Sequence, residues 1–225
     1  MPSETRDAQA RAALSEGRSS DAILSVVAAA LREKGGSYDV LVDLGCGRGD
    51  CARHLRGMYE AYIGCDAVRY EGFPRADSIR FRQVDLNGTP YPLAGASASA
   101  AVSIETIEHL ENPRALVREM ARIVRPGGWV VLTTPNQLSL TSILFLVARG
   151  QFHAFQEAPG LYPAHITALV EEDLRRIACE CGLTDVEIRY TDRGRIPLTE
   201  LHWPRAAGVR GRWFSDNVVM LARRR

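Results

Sequence analysis

The sequence predicts an α/β fold, a parallel sheet covered by helices on both faces. Three observations carry this reading. Short apolar runs alternate with stretches of helical apolar spacing, the first run leads directly into a glycine-rich turn, and 225 residues, 46% of them hydrophobic and 24% charged, make one sizeable core rather than two. Near the start, Ile23, Leu24, Val26, Val27 and Leu31 recur at helical spacing, with Ser20 as N-cap and Gly35-Gly36 as the stop. The runs 38–44, 61–65, 79–84, 100–104 and 129–133 are bounded by turn residues and read as strands. Between them, 51–58 and 113–124 have helical spacing, whereas 66–80 is broken by Gly and Pro, so its helix is short or missing.

Beyond Thr133 the pattern predicts a helix over 138–149, a loop carrying Phe152, His153, Phe155 and Pro159, and a helix over 171–181 stopped by Gly182. The stretch 137–170 reads as a lid-like insertion, and the runs 186–190 and 217–222 as strands at the sheet edge. Residues 1–19, rich in Ala, Ser, Arg and Glu, are expected to be flexible.

Lys and Arg number 28 against 27 Asp and Glu, a net charge of +1, so nucleic acid held by bulk charge is not an expected partner. The five cysteines, Cys46, Cys51, Cys65, Cys179 and Cys181, form no repeated C-x-x-C, and the start of the chain shows no signal-peptide pattern. A reducing, cytoplasmic location is expected, with Cys179 and Cys181 as packing residues. The longest apolar stretch, 138–148, is interrupted by Ser139, Thr141 and Ser142. It is about half the roughly 20 residues a bilayer span requires, so no span is expected. Core packing, a substrate lid or peripheral contact with lipid are its three readings.

The sharpest local signal is the passage from Val40-Leu41-Val42-Asp43-Leu44 into Gly45-Cys46-Gly47-Arg48-Gly49. Glycines there let the chain turn tightly and a ligand approach without a Cβ in the way, at the carboxyl end of the first strand. A dinucleotide fingerprint would need Gly or Ala where the chain has Asp50. A carboxylate at a helix start opposes a pyrophosphate and tolerates a cationic sulfonium or amino-acid group.

The segment Asp43-Leu44-Gly45-Cys46-Gly47-Arg48-Gly49 resembles the D-x-G-x-G-x-G motif of class I S-adenosylmethionine-dependent methyltransferases. Ile63-Gly64-Cys65-Asp66, Gln83-Val84-Asp85-Leu86, Glu105-Thr106-Ile107-Glu108-His109-Leu110 and Arg125-Pro126-Gly127-Gly128-Trp129 match further segments of that family in order and spacing. The resemblance implies a Rossmann-like three-layer sandwich with a seven-stranded, mostly parallel sheet, a reversed last strand over 217–222, and one domain over 1–225. It also implies S-adenosylmethionine as cofactor. Asp43, Gly45, Cys46, Gly47 and Gly49 would form the loop at its methionine end, Asp66 the contact to the ribose hydroxyls, Asp85 and Leu86 the adenine pocket, and Ile104 with Glu105 the floor beneath the sulfonium.

Methyl transfer from a sulfonium is an in-line displacement with a good leaving group, so alignment dominates and a base is optional. Glu105, His109 and His165 are the catalytic candidates, a neutral imidazole suiting removal of a hydroxyl proton. The downstream half resembles enzymes acting on sugars, glycan precursors or small metabolites, which implies O-methylation of a hydroxyl. Quinone-ring O-methyltransferases share much of the pattern. Small-RNA 2′-O-methyltransferases hold a divalent metal with an E-x-x-E-H segment and a distant His, a pattern that Glu105, Glu108, His109 and His165 echo; their second lid His has no counterpart in Tyr162-Pro163-Ala164-His165, and no metal is expected. A cofactor-binding relative without turnover and an NAD-linked oxidoreductase are the rival classes.

Overall fold

The structure, a computed structural model, describes residues 17–156, 165–204 and 208–225. Pro159, the Tyr162-Pro163-Ala164 segment and most of the stretch 1–19 lie outside the described residues. Seven strands form one sheet: β1 (Tyr38–Leu44), β2 (Tyr59–Asp66), β3 (Ile79–Gln83), β4 (Ala98–Ile104), β5 (Val124–Pro135), β6 (Leu183–Tyr190) and β7 (Asn217–Arg224). Their spatial order is β3-β2-β1-β4-β5-β7-β6. The first five pair in parallel, and β7 runs antiparallel to both β5 and β6. The expected seven-stranded sheet with a reversed last strand is the observed one.

Among the described residues, five α-helices cover it: α1 (Asp21–Glu33), α2 (Asp50–His54), α3 (Pro113–Ile123), α4 (Leu140–Arg149) and α5 (Glu171–Glu180). Helix α1 begins where the Ser20 side chain accepts from the Ile23 amide. Helix α3 begins where Asn112 accepts from Ala115 and Pro113 supplies a preset first turn. Ile23, Leu24, Val27 and Leu31 of α1 pack with Cys51 and Ala52 of α2 on one face of the sheet. Leu116, Val117, Met120 and Ile123 of α3 pack with Leu174, Ile177 and Ala178 of α5 on the other. Strand β4 lies at the centre and is buried along its whole length, which explains its unbroken run of small and apolar residues.

Several boundaries move. Helix α2 stops at His54, four residues before the predicted end, because Leu55, Arg56 and Gly57 turn the chain into β2. Strand β5 starts at Val124 and takes in Arg125-Pro126-Gly127-Gly128, with a register shift against β4 between Ala98 and Ala100. No helix forms between Asp66 and Ile79.

One packing expectation is corrected in part, and one of the three readings of 138–148 falls away. Cys179 is exposed rather than packed, since the buried side of α5 is Leu174, Ile177 and Ala178, whereas Cys181 is half-buried and packs against the core as expected. Helix α4 is not a core helix: its buried residues are Thr141 and Ser142, while Leu144, Leu146 and Val147 are exposed. Its inner face is held by polar bonds, with the Thr141 hydroxyl donating to Arg195 O at 2.6 Å. No helix among the described residues is long and apolar enough to cross a membrane.

Candidate active site

The strand order reverses between β1 and β4, so the loops leaving their carboxyl ends flank a crevice, the place where open α/β sheets bind ligands. After β1 the chain turns through Gly45, Gly47 and Gly49, all at positive φ. Gly45 and Cys46 donate their amides to Cys65 O at 2.8 and 3.1 Å, which ties the turn to the end of β2. A Cβ on Gly47 would lie 2.4 Å from Gly17 O, and the Arg48 amide donates to that same carbonyl at 2.9 Å. Gly17 therefore rests on the glycine turn.

Asp66 ends β2, and its Oδ2 accepts the Gly47 amide at 2.9 Å while Oδ1 accepts from Val68. Burial pushes its pKa up, against the pull of the amides it accepts from. An amide that a phosphate would use is thus already bound to a carboxylate, an arrangement suited to a cationic or hydroxylated ligand. Asp85 sits in the next loop, where its Oδ1 accepts the Asn87 amide at 3.0 Å, and Leu86 beside it is buried. Asp43, also buried, accepts a hydrogen bond from the Tyr62 hydroxyl on Oδ2, and its Oδ1 has no hydrogen-bond partner. Burial raises its pKa to about 7; the Tyr62 hydrogen bond and the nearby Cys51 thiol oppose the rise, and the Asp66 charge adds to it.

At the exit of β4, Glu105 adopts φ +51, a left-handed backbone that a non-glycine residue rarely takes. Its side chain is pinned: Thr133 Oγ1 donates to Oε1 at 2.8 Å and Asn217 Nδ2 to Oε2 at 2.7 Å. The Glu105 amide in turn donates to Thr133 Oγ1 at 3.0 Å. Burial lifts its pKa to about 7.

One turn further, Glu108 is fully buried. Its Oε2 accepts from Thr134 Oγ1 at 3.1 Å and its Oε1 has no hydrogen-bond partner. Burial, and then the charge of Glu105, drives its pKa well up. The carbonyl of Glu108 accepts the amides of Ile166 and Thr167 at 2.9 and 3.0 Å, and the Thr167 hydroxyl donates to Leu110 O. These bonds bring the distant His165 to the β4 exit. Its ring lies 4.7 Å from that of His109, and its Nε2 lies 3.8 Å from Glu108 Oε1.

His165 Nδ1 faces the carbonyl of Ala154 at 2.8 Å, so Nδ1 carries the proton of the neutral ring. Burial, reinforced by His109, lowers the His165 pKa to about 4, against a raising bond from Ala154. Among the described residues, Glu108, His109 and His165 form a group whose ligand atoms all lie within 4.8 Å of one another. Glu105 is not part of it, both its carboxylate oxygens being held by Thr133 and Asn217. The loop residue His153 is half-buried, its ring 5.4 Å from Phe145.

Tyr62, Thr133, Thr134 and Asn217 support the site, and the sequence assigns none of them a role. Thr133 and Thr134 end β5, Asn217 opens β7, and nothing in a lone hydroxyl or amide marks it before the strands are placed.

A family model described as a methyltransferase domain matches residues 10–188. A ubiquinone biosynthesis O-methyltransferase of Thiobacillus denitrificans is 26% identical over 170 residues, 72% of this chain and 71% of that protein. A probable S-adenosylmethionine-dependent methyltransferase of Mycolicibacterium smegmatis is 32% identical over 171 residues, covering 68% of this chain and 60% of its own length. A probable S-adenosylmethionine-dependent methyltransferase of Mycobacterium tuberculosis is 28% identical over 154 residues, 66% of this chain and 49% of that protein. In fold, the chain resembles a methyltransferase of Archaeoglobus fulgidus (TM-score 0.62, 18% identity, 89% of this chain and 94% of that one). It also resembles the 1,6-didemethyltoxoflavin N1-methyltransferase of Burkholderia thailandensis, solved with S-adenosylhomocysteine (TM-score 0.60, 14% identity, 90% and 78%).

Proposed function

The chain belongs to the S-adenosylmethionine-dependent methyltransferases, with S-adenosylmethionine as methyl donor, and from that premise we propose that it methylates a hydroxyl on a small molecule, sugar or glycan precursor. In the reaction the acceptor oxygen forms its bond to the methyl carbon as the carbon–sulfur bond breaks. The electron pair goes to sulfur, leaving S-adenosylhomocysteine, and the hydroxyl proton goes to a base. The observation that carries the reading is the buried Glu108 Oε1, lacking a donor and 3.8 Å from His165 Nε2, at the carboxyl end of β4. An acceptor hydroxyl supplies the hydrogen-bond partner that Oε1 lacks, and the neutral His165 ring takes the proton with His109 edge-on against it.

In this reading Asp43, Gly45, Cys46, Gly47 and Gly49 hold the methionine end, and Asp66 the ribose hydroxyls. Asp85 and Leu86 line the adenine pocket, and Ile104 and Glu105 lie beneath the sulfonium. The similarity to the O-methyltransferase of Thiobacillus denitrificans supports oxygen as the nucleophile. The exposed Leu144, Leu146 and Val147 on α4 support a lipophilic acceptor or peripheral lipid contact over a purely polar one. Five unpaired cysteines suit a reducing, cytoplasmic setting.

The test is turnover of a panel of phenols, sugars, nucleotide-sugars and amines, read by released S-adenosylhomocysteine, with the methylated atom located by NMR. Methyl ethers from hydroxylated acceptors are expected. Methylation confined to nitrogen or carbon overturns the reading, as does tight S-adenosylhomocysteine binding with no turnover of any acceptor.

A second reading is favoured by the same corner: a divalent cation held by Glu108, His109 and His165. Oxygen and nitrogen ligands at about 2.1 Å from one ion lie roughly 3 to 4.2 Å apart, and the 3.8 Å between Glu108 Oε1 and His165 Nε2 falls in that range. When bound, such an ion would acidify the acceptor hydroxyl. Calorimetric titration with Mg²⁺, Mn²⁺ and Zn²⁺ decides it: a site lost in both His109→Ala and His165→Ala supports the ion, and no binding by the parent protein rejects it.

A further inference from the structure

Tyr62 lies in the middle of β2, is fully buried, and belongs to none of the segments that mark the family resemblance. The β1–β2 register pairs Leu41 with Tyr62 and Asp43 with Gly64. Side chains two residues apart share a sheet face, so Tyr62 and Asp43 point the same way from neighbouring strands. The position directly opposite Asp43 is Gly64, where a Cβ would meet Phe73 Cζ at 2.8 Å and Cys46 Sγ at 2.9 Å. With no side chain there, the tyrosine hydroxyl reaches diagonally to Asp43 Oδ2. Its ring is fixed against Tyr59, with centroids 5.2 Å apart.

The groups that act on Asp43 are the Tyr62 hydroxyl, the Asp66 carboxylate and the Cys51 thiol, and none of them is a cation. Cys46 on the same face and Cys65 on the other lie near it, their thiols pushed up by burial and so neutral near pH 7. A buried carboxylate with one oxygen bound and the other open is an incomplete ion pair. It stands at the strand end that leads into the Gly45–Gly49 turn, and a cofactor with an amino-acid end brings an ammonium.

We propose that Tyr62 is a positioning residue for the cofactor: its hydroxyl holds Asp43 Oδ2, keeping the carboxylate ionised and turning the open Oδ1 toward the cofactor's ammonium. The cofactor assignment is its premise, and the identity of the methyl acceptor does not enter. Removing the hydroxyl leaves the fold's packing nearly unchanged and takes away a donor to the charged form of Asp43. At neutral pH more of Asp43 is then protonated, and the pair with the ammonium is lost in that fraction. Raising the pH ionises Asp43 again and restores it.

The experiment compares the parent and Tyr62→Phe by calorimetry at pH 6.5, 7.5 and 8.5 with two probes. S-Adenosylhomocysteine carries the ammonium and no sulfonium, and 5′-deoxy-5′-methylthioadenosine carries neither while keeping the adenine and ribose. Tyr62→Phe is expected to weaken S-adenosylhomocysteine roughly tenfold at pH 6.5, by the loss of one hydrogen bond to a charged group, and by less than about threefold at pH 8.5. Affinity for 5′-deoxy-5′-methylthioadenosine should stay within about twofold at every pH; this arm also exposes any titration of Asp66, whose pKa burial raises. In an Asp43→Asn background, Tyr62→Phe should cost nothing further.

The proposal is overturned if S-adenosylhomocysteine binds Tyr62→Phe as it binds the parent throughout. It is equally overturned if both probes weaken together, which is the signature of a disturbed fold. Failure of the parent to bind either probe would strike the cofactor assignment instead. Should Tyr62→Phe not fold, a ¹³C carboxyl titration of Asp43 in the parent decides: its pKa must fall when S-adenosylhomocysteine binds, and an unchanged value rejects the ion pair.

Discussion

Replacing Gly45 by Ala tests whether the turn after β1 and the exit of β4 form one interlocked unit. Gly45 has φ +84, and a Cβ there would lie 2.1 Å from Thr106 Oγ1, 2.6 Å from its Cγ2 and 2.8 Å from its Cβ. The backbone cannot simply step back, because the Gly45 amide donates to Cys65 O at 2.8 Å. Two costs follow: about 1–2 kcal/mol for a left-handed L-residue, and about 1–3 kcal/mol for the overlap with a buried side chain. Gly45→Ala should therefore lower unfolding free energy by about 2–5 kcal/mol in urea denaturation and weaken S-adenosylhomocysteine in calorimetry. Thr106→Ala removes the two closest atoms and the hydroxyl's bond to Ile104 O, but leaves the strained φ of position 45 untouched. In the double variant most of the overlap should be relieved, as a coupling of about 1–3 kcal/mol toward rescue, while the contact with the Cβ kept at position 106, at 2.8 Å, and the backbone portion persist. A coupling within about 0.5 kcal/mol of zero would refute the interlock, and an unaffected Gly45→Ala would refute both terms.

Asp66→Ala should weaken S-adenosylhomocysteine by about 1–3 kcal/mol, since the carboxylate holds the Gly47 amide and is the proposed ribose contact; unchanged affinity in calorimetry rejects that role. His109→Ala and His165→Ala should leave that affinity nearly intact while lowering kcat about 10²–10⁴-fold, and full rates in both would leave alignment as the sole driver. Asp43 binds its proton more tightly folded, with a pKa near 7, than unfolded, near 3.8. Its contribution to the ligand-free protein is thus fully present below about pH 4 and is lost, by about 4 kcal/mol, as pH rises to about 7. Urea midpoints of Asp43→Asn should fall less steeply over that range than those of the parent, and parallel curves would contradict the assignment. The exposed Glu172–Arg176 pair on α5, at 3.0 Å, should be worth less than about 0.5 kcal/mol in a double-mutant cycle.

The parallel strands were legible because each is a short apolar run between turn residues, and β1 matches its prediction residue for residue. The acidic residues that end β2 and follow β3 were legible through position, each standing where an apolar run stops. What escaped the sequence lies in contacts made across strands. Tyr62 reads as one more apolar residue of β2 until the register sets it diagonal to Asp43. Thr133 and Thr134 read as the tail of β5, yet one holds Glu105 and the other Glu108. The outward apolar face of α4 was hidden for the opposite reason. Helical spacing shows that apolar residues share a side but not whether that side meets the core, and here the core side belongs to Thr141 and Ser142.

The reversed strand has a part in the site beyond closing the sheet. A parallel strand ends at the crevice, whereas an antiparallel one begins there, so β7 enters the sheet with Asn217 paired to Pro135 at the carboxyl rim of β5. That placement lets the Asn217 amide reach Glu105 Oε2, while Thr133 from the parallel neighbour holds Oε1. Glu105 sits in a backbone region that costs on the order of 1–3 kcal/mol for a residue with a side chain. Two hydrogen bonds to a buried carboxylate are of the size needed to offset it. The topology and the strained residue thus depend on each other: a fully parallel sheet would bring the end of a strand to this rim, and the amide that anchors Glu105 would have no strand to start from.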